Sequence, residues 1–190
     1  MQTIICMKWG KRYSSVFVNR LYKSIIKHTK NKTQLICFTD DTNDINPDVM
    51  CKPLPSINLP KTITSTPWRK ISVWQHPLFE VSGDILFLDL DLIITGNLDR
   101  FFSYKPGKYC VIENWTQLGL GIGNTSCFRF PTVKYKFIFD EFQKNPEAIW
   151  KKYHIEQIYL SKKIKDPIFW PDDWCKSFKH NLLPIWPLRI

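Results

Sequence analysis

A mostly parallel α/β sheet flanked by helices is the fold class the sequence predicts, and three observations carry it. The first is order: an apolar strand pattern, an amphipathic helix, a second apolar strand, then a polar turn-rich loop. The second is the run "DILFLDL", apolar at successive positions as in a strand covered on both faces. The third is length, since 190 residues suit one domain with a sizeable core.

The elements follow in chain order. "QTIICM" is the first buried strand. Ser14 or Ser15 can cap the next helix, which places Val18, Leu21, Tyr22 and Ile25 at helical spacing and ends among Lys27, His28 and Lys30. "QLICFT" is a second strand, running into the acidic loop "DDTNDINPD". "WRKISVWQHPLF" reads as a short helix, "DILFLDL" as the next strand, and "NLDRFF" as a helical turn. "YCVIEN" and "SCFRF" are strands joined by the Gly-rich connector "LGLGIGN", and "VKYKFIFDEFQ" and "HIEQIYLSKKI" are amphipathic helices. From Asp166 onward the chain is rich in Pro and Trp without periodicity, which predicts a long loop over the core. Most tryptophans, Trp186 included, are expected in the core.

Composition excludes several classes. At 44% hydrophobic residues the chain is neither disordered nor coiled coil. The apolar start is too short for a signal peptide, and no stretch approaches the ~18 apolar residues of a membrane span, so a cytoplasmic protein is expected. The six cysteines form no CxxC pair, which favours free buried thiols over zinc or redox chemistry. A net charge of +10 implies an anionic partner, and a basic surface could hold the protein against an anionic membrane. The lysines are dispersed, however, and form no stripe for specific nucleic-acid binding. "GKRYSS" lacks P-loop spacing, and "LGLGIG" lacks the strand, turn and helix context of a dinucleotide fingerprint.

The residues that carry chemistry are Asp89 and Asp91. A carboxylate at the end of an apolar strand is costly unless something pairs with it. In a strand, residues two apart share a face, so Asp89 and Asp91 can aim both carboxylates at one divalent cation. Mg²⁺ or Mn²⁺ is satisfied by a few carboxylate oxygens together with water and substrate phosphates, which makes such a site a receptor for a diphosphate. The alternative is structural: the two aspartates cap a helix or pair with lysines. In open α/β sheets, functional groups gather beyond the carboxyl ends of the strands, where Lys8, Thr39, Asp40 and Asp41 also fall.

"DILFLDLDLIITGNLDRFF" resembles the DxD segment of GT-A-fold nucleotide-sugar glycosyltransferases, in particular the family 8-like bacterial enzymes. "KWGKRYSSVFVNRLYKSI", "CFTDD", "PLP", "WRKISVW", "IGNTSCFRF", "EQIYLSKKI" and "WPDDWCKSFKH" match in order, so the resemblance covers nearly the whole chain. It implies a single GT-A domain over residues 1–190, with a donor-binding half of about residues 1–100 and an acceptor-side half of about 101–190. It implies that Lys8, Gly10 and Tyr13 face the nucleotide, with Tyr13 against the base, and that Thr39, Asp40 and Asp41 hold uracil and ribose. Asp89 would reach the ribose or the metal, and Asp91 would be the principal ligand of Mn²⁺ (or Mg²⁺). Arg69 and Lys70 would meet phosphates or sugar, Asn124 and Ser126 the donor sugar, and Glu156 and Gln157 the transferred sugar near the reacting carbon.

The implied activity is transfer of a hexose from a UDP-sugar to a hydroxyl of a glycan or lipid-linked acceptor, as in envelope polysaccharide synthesis. Trp170, Asp172, Asp173 and Trp174 are the acceptor-side candidates, because sugars stack on exposed aromatic faces. Relatives continue past the segment matching "PLRI" into a His-Gly motif and a Lys-Pro segment that supply a third metal ligand and a lysine for the diphosphate. The sequence here ends at Ile190. His180, with Lys179, is the candidate stand-in. Loss of the tail is favoured over that substitution, and a weakened or inactive nucleotide-sugar binder is the alternative to a working transferase.

Overall fold

Seven strands form one mixed sheet in the order β3-β2-β1-β4-β6-β5-β7, in a computed structural model that describes residues 1–182. The strands are β1 (Gln2–Lys8), β2 (Thr33–Thr39), β3 (Met50–Pro53), β4 (Asp84–Leu88), β5 (Cys110–Glu113), β6 (Gly123–Pro131) and β7 (Ile168–Phe169). β1 pairs in parallel with β2 and β4, β2 with β3, and β5 with β7; only β6 runs against its neighbours β4 and β5. The carboxyl ends of β1, β2, β4 and β5 therefore share one edge with the start of β6.

Both faces are covered. On one, Ile5, Phe38, Phe87, Val111 and Phe128 pack beneath Trp68, Ile71 and Trp74 of the 3₁₀ segment Pro67–Trp74 and beneath helices α3 (Phe137–Lys144) and α5 (Glu156–Lys163). Trp74 is the hub of this aromatic layer, stacked on Phe130 at 4.2 Å and on Phe128 at 5.5 Å. On the other face, Ile4, Cys6, Cys37, Leu86 and Leu88 meet Val18, Leu21 and Ile25 of α1 (Ser15–Lys27) and Phe101 of α2 (Asp99–Ser103). Two buried faces explain why the central strands are apolar throughout.

Several expectations are refined. Ser14 occupies the N-cap of α1, but its side chain makes no capping hydrogen bond. "WRKISVW" winds as a 3₁₀ helix instead of an α-helix. The short edge strands β3 and β7 and helix α4 (Pro146–Tyr153) add to the predicted elements, the last capped by Asn145 Oδ1 accepting from the Ala148 N–H at 3.1 Å. Gly123 opens β6 so close to β5 that a Cβ there would lie 2.9 Å from the Val111 methyls, which explains the last glycine of the connector. Residues 183–190, including Trp186 and the "PLRI" end, lie outside the described residues. No helix among the described residues is long and apolar enough to cross a membrane.

Candidate active site

β1 delivers Lys8 to the carboxyl edge of the sheet, where the residue is only 3% exposed. Its Nζ donates to the Asp41 carbonyl at 3.0 Å and pairs with the Asp41 carboxylate at 3.5 Å. Thr39, the last residue of β2, fixes the same turn: its Oγ1 donates to the Asp41 carbonyl at 2.9 Å and accepts the Asp41 N–H at 3.1 Å. The Asn43 N–H, opposed by partial desolvation and aided by Lys8, holds the Asp41 carboxyl below its ordinary value. Asp40 reaches back to β1, accepting the Gly10 N–H at 2.9 Å. Gly10 has φ +61°, a conformation that favours glycine where the chain turns out of β1.

The carboxylate pair is arranged differently from a continuing strand. β4 ends at Leu88; Asp89 makes one more ladder bond, its N–H donating to the Ser126 carbonyl at 2.9 Å, and the chain then turns at Leu90 and Asp91. Shared strand face is thus not what relates the two aspartates. Asp89 is half-buried and grips Lys70, whose Nζ lies 2.7 Å from Oδ1 and 2.8 Å from Oδ2. Burial pushes the Asp89 carboxyl up, Lys70 opposes that shift, and Asp91 adds to it. Asp91 is exposed and accepts the Tyr13 hydroxyl at 2.8 Å, and Tyr13 in turn stacks edge-on against Phe17 of α1 and carries Arg12 above its ring. Burial and the Asp91 bond push the Tyr13 phenol up.

A second strand of contacts leads inward from Lys70. Its Nζ also donates to the Thr125 carbonyl at 3.3 Å, and Thr125 Oγ1 donates to the buried Glu156 carboxylate at 2.7 Å. Asn124 Oδ1 accepts the Ser126 N–H at 3.0 Å, which shapes the start of β6 beside Asp89. Gln157 follows Glu156 on α5, half-buried. The structure thus joins Asp89, Lys70, Ser126, Asn124 and Glu156, predicted from separate segments, through Thr125, which the sequence reading passed over. Arg69, adjacent to Lys70, is half-buried with its Nε unpartnered.

The remaining candidates sit elsewhere. Trp170 is 4% exposed, donates Nε1–H to the Cys127 carbonyl and packs against Phe101; it is a core residue that also borders the cavity lined by Asp172. Trp174 is half-buried between Trp170, with ring centroids 5.9 Å apart, and the Arg100 guanidinium, 4.4 Å from its own. Asp172 and Asp173 are exposed, and Asp172 lines a cavity of about 240 Å³ with Glu113, Trp115, Leu118, Lys176 and Asn181. His180 is exposed in the turn Phe178–Leu182. Among the described residues no three His, Cys, Asp or Glu side chains converge as a metal cluster.

No family model matches the chain, and no curated protein does. Solved structures do. The chain superposes on the glycosyltransferase GlyE of Streptococcus pneumoniae TIGR4 with a TM-score of 0.64 at 14% identity, over 92% of this chain and 46% of that one. The galactosyltransferase LgtC, in complex with donor and acceptor sugar analogs, gives 0.64 at 10% identity, over 88% of this chain and 73% of that one. The bifunctional glycosyltransferase WbbM gives 0.62 at 9% identity, over 91% and 39%. The fold is that of the GT-A glycosyltransferases. The chain spans less than half the length of GlyE and of WbbM.

Proposed function

We propose that the protein is a metal-dependent glycosyltransferase that moves a hexose from a nucleoside diphosphate sugar, UDP-hexose in particular, to an acceptor hydroxyl. One observation carries the reading: on a GT-A fold, Asp89 and Asp91 meet Lys70 and Tyr13 at the sheet edge where Lys8, Asp40 and Asp41 also stand. A cation there would be held by Asp91 and Asp89. Two carboxylates with few other protein ligands fit Mg²⁺ or Mn²⁺, which take substrate phosphates and water for their remaining positions. When bound, such an ion neutralises negative charge on the departing nucleoside diphosphate.

The chain's own groups do the rest. The turn fixed by Thr39 and Lys8 presents Asp40 and Asp41 as acceptors for ribose hydroxyls and the base, with Gly10 leaving room for the nucleotide. Lys70 supplies a desolvated positive charge for the diphosphate, stronger than the same charge in open water. Arg69 can add a second. Asn124, Ser126, Glu156 and Gln157 border the place for the donor sugar, with Glu156 oriented by Thr125. The acceptor approaches from the side of Asp172 and Asp173, where the cavity flanked by Trp115, Glu113 and Lys176 combines an aromatic ring with hydroxyl-binding groups. Glycans and lipid-linked sugars are the acceptor class this chemistry suits.

The test is calorimetric titration with UDP in the presence of Mn²⁺ and then of chelator, with Asp91→Asn beside the wild type. Binding that requires Mn²⁺ and falls at least tenfold in the variant is expected. A folded wild type that binds no UDP under either condition would refute the proposal, and binding without donor hydrolysis or transfer would reduce it to a nucleotide-sugar binder.

A further inference from the structure

Asp89 is already engaged on both oxygens. The Lys70 ammonium sits in the mouth of the carboxylate, 2.7 Å from one oxygen and 2.8 Å from the other, where a chelated cation would otherwise lie. Lys70 is itself confined: its side chain is 8% exposed, its Nζ is fixed by the Thr125 carbonyl, and its charge lies 5.4 Å from the centroid of the Phe87 ring. The neighbouring residues Trp68, Ile71 and Trp74 are buried and anchor the segment in the core, so side-chain torsion is the less costly way to move the ammonium. Asp91 is the contrast, exposed and in no ion pair among the described residues.

A divalent ion needs its oxygens at about 2.1 Å, so it cannot share that mouth with an ammonium without severe like-charge repulsion. Charge accounting gives the consequence. Lys70, Asp89 and Asp91 together are one unit negative; a divalent cation alone would turn the half-buried group one unit positive. A diphosphate arriving with the cation restores a negative balance and offers Lys70 a new partner.

We infer that Lys70 is a resident counter-ion that competes with the divalent cation for Asp89 and yields it when a nucleoside diphosphate takes the ammonium. This rests on the donor-site reading above. It makes Lys70 a diphosphate-binding residue that couples cation binding to diphosphate binding, with Asp91 as the ligand open from the start.

Electron paramagnetic resonance of Mn²⁺, which reads the free ion directly and requires no turnover, tests this on the full chain with and without UDP. Lys70→Met is expected to bind Mn²⁺ alone about tenfold more tightly than wild type, within the usual range of coupling between sites, and the gain that UDP confers should shrink. Lys70→Arg, which keeps the charge, should behave like wild type. Lys70→Gln supplies a neutral hydrogen-bond donor to Asp89 in case the methionine variant does not fold, with melting curves checking both. Unchanged or weaker Mn²⁺ binding by a folded neutral variant would overturn the inference while leaving the donor site intact. A wild type that binds no Mn²⁺ even with UDP would instead overturn the reading of the site, and the inference with it.

Discussion

Replacing Arg129 by methionine removes the most heavily used buried charge of the sheet. Arg129 is fully buried on β6. Its Nη1 donates to the carbonyls of Phe101 and Phe102 at the end of α2, its Nη2 donates to the Lys105 carbonyl and lies 3.3 Å from Cys110 Sγ, and its Nε faces Asp84 at 3.5 Å. Removing one partner of a buried ion pair costs about 3–5 kcal/mol. Asp84, with a side chain 19% exposed, and the part-buried carbonyls of Phe102 and Lys105 recover some hydration, but the buried Phe101 carbonyl does not, and its lost contact adds about 1 kcal/mol. A loss near 4 kcal/mol is therefore expected. With a urea m-value of about 3 kcal/mol/M for a chain of this size, the unfolding midpoint should fall by about 1–1.5 M with m unchanged. Arg129→Lys cannot reproduce the planar fork and should lose at least half as much. A methionine variant that loses less than about 1 kcal/mol would refute the view that this guanidinium ties α2 and the following turn to the sheet.

Two further outcomes follow from buried and capped groups. Burial pushes Asp99 up, but the N–H groups of Lys30 and Asn31 more than offset this and leave its carboxyl below the ordinary value of 3.8. A depressed carboxyl stabilises the fold above its unfolded value, and that contribution is lost as pH falls through the folded one. Asp99→Asn should thus cost about 1–2 kcal/mol at neutral pH, and the gap from wild type should close in acid; urea titrations across that range that kept a constant gap would contradict the assignment. Cys110 is fully buried, with its thiol pushed up to about 11 by desolvation. In native protein, iodoacetamide should therefore label half-buried Cys51 and Cys175 well before Cys6, Cys37, Cys110 and Cys127, as peptide mass spectrometry would show.

The fold was legible because it is written in local pattern. Strands covered on both faces leave continuous apolar runs such as β4, and α1 shows a helical stripe at Val18, Leu21 and Ile25. What escaped was short or set by neighbours. β3 and β7 have four and two residues and exist only because β2 and β5 offer open edges. Pro67–Trp74 has a helical sequence but is held as 3₁₀ by the aromatic layer that takes Trp68 and Trp74. Trp170, set between acidic and proline residues in a loop, looked available to a sugar, yet its indole N–H found a backbone carbonyl and its ring Phe101.

The carboxylate pair shows where sequence reasoning stops and why. Two aspartates at the end of an apolar strand require partners, and that demand was readable. Which partners they take was not, because it depends on how far the strand runs. β4 stops at Leu88, so alternation no longer fixes where the side chains point, and the turn at Leu90 and Asp91 sends them to different neighbours. Asp89 meets Lys70, placed by a 3₁₀ segment 19 residues earlier, and Asp91 meets Tyr13, 78 residues away at the exit of β1. Asp89 thus realises the structural reading, a pairing with lysine, while Asp91 has no ion-pair partner among the described residues. One carboxylate is in a lysine ion pair and the other faces solvent, and on the proposed reading a cation would meet Asp91 first and reach Asp89 only with a diphosphate to take the ammonium.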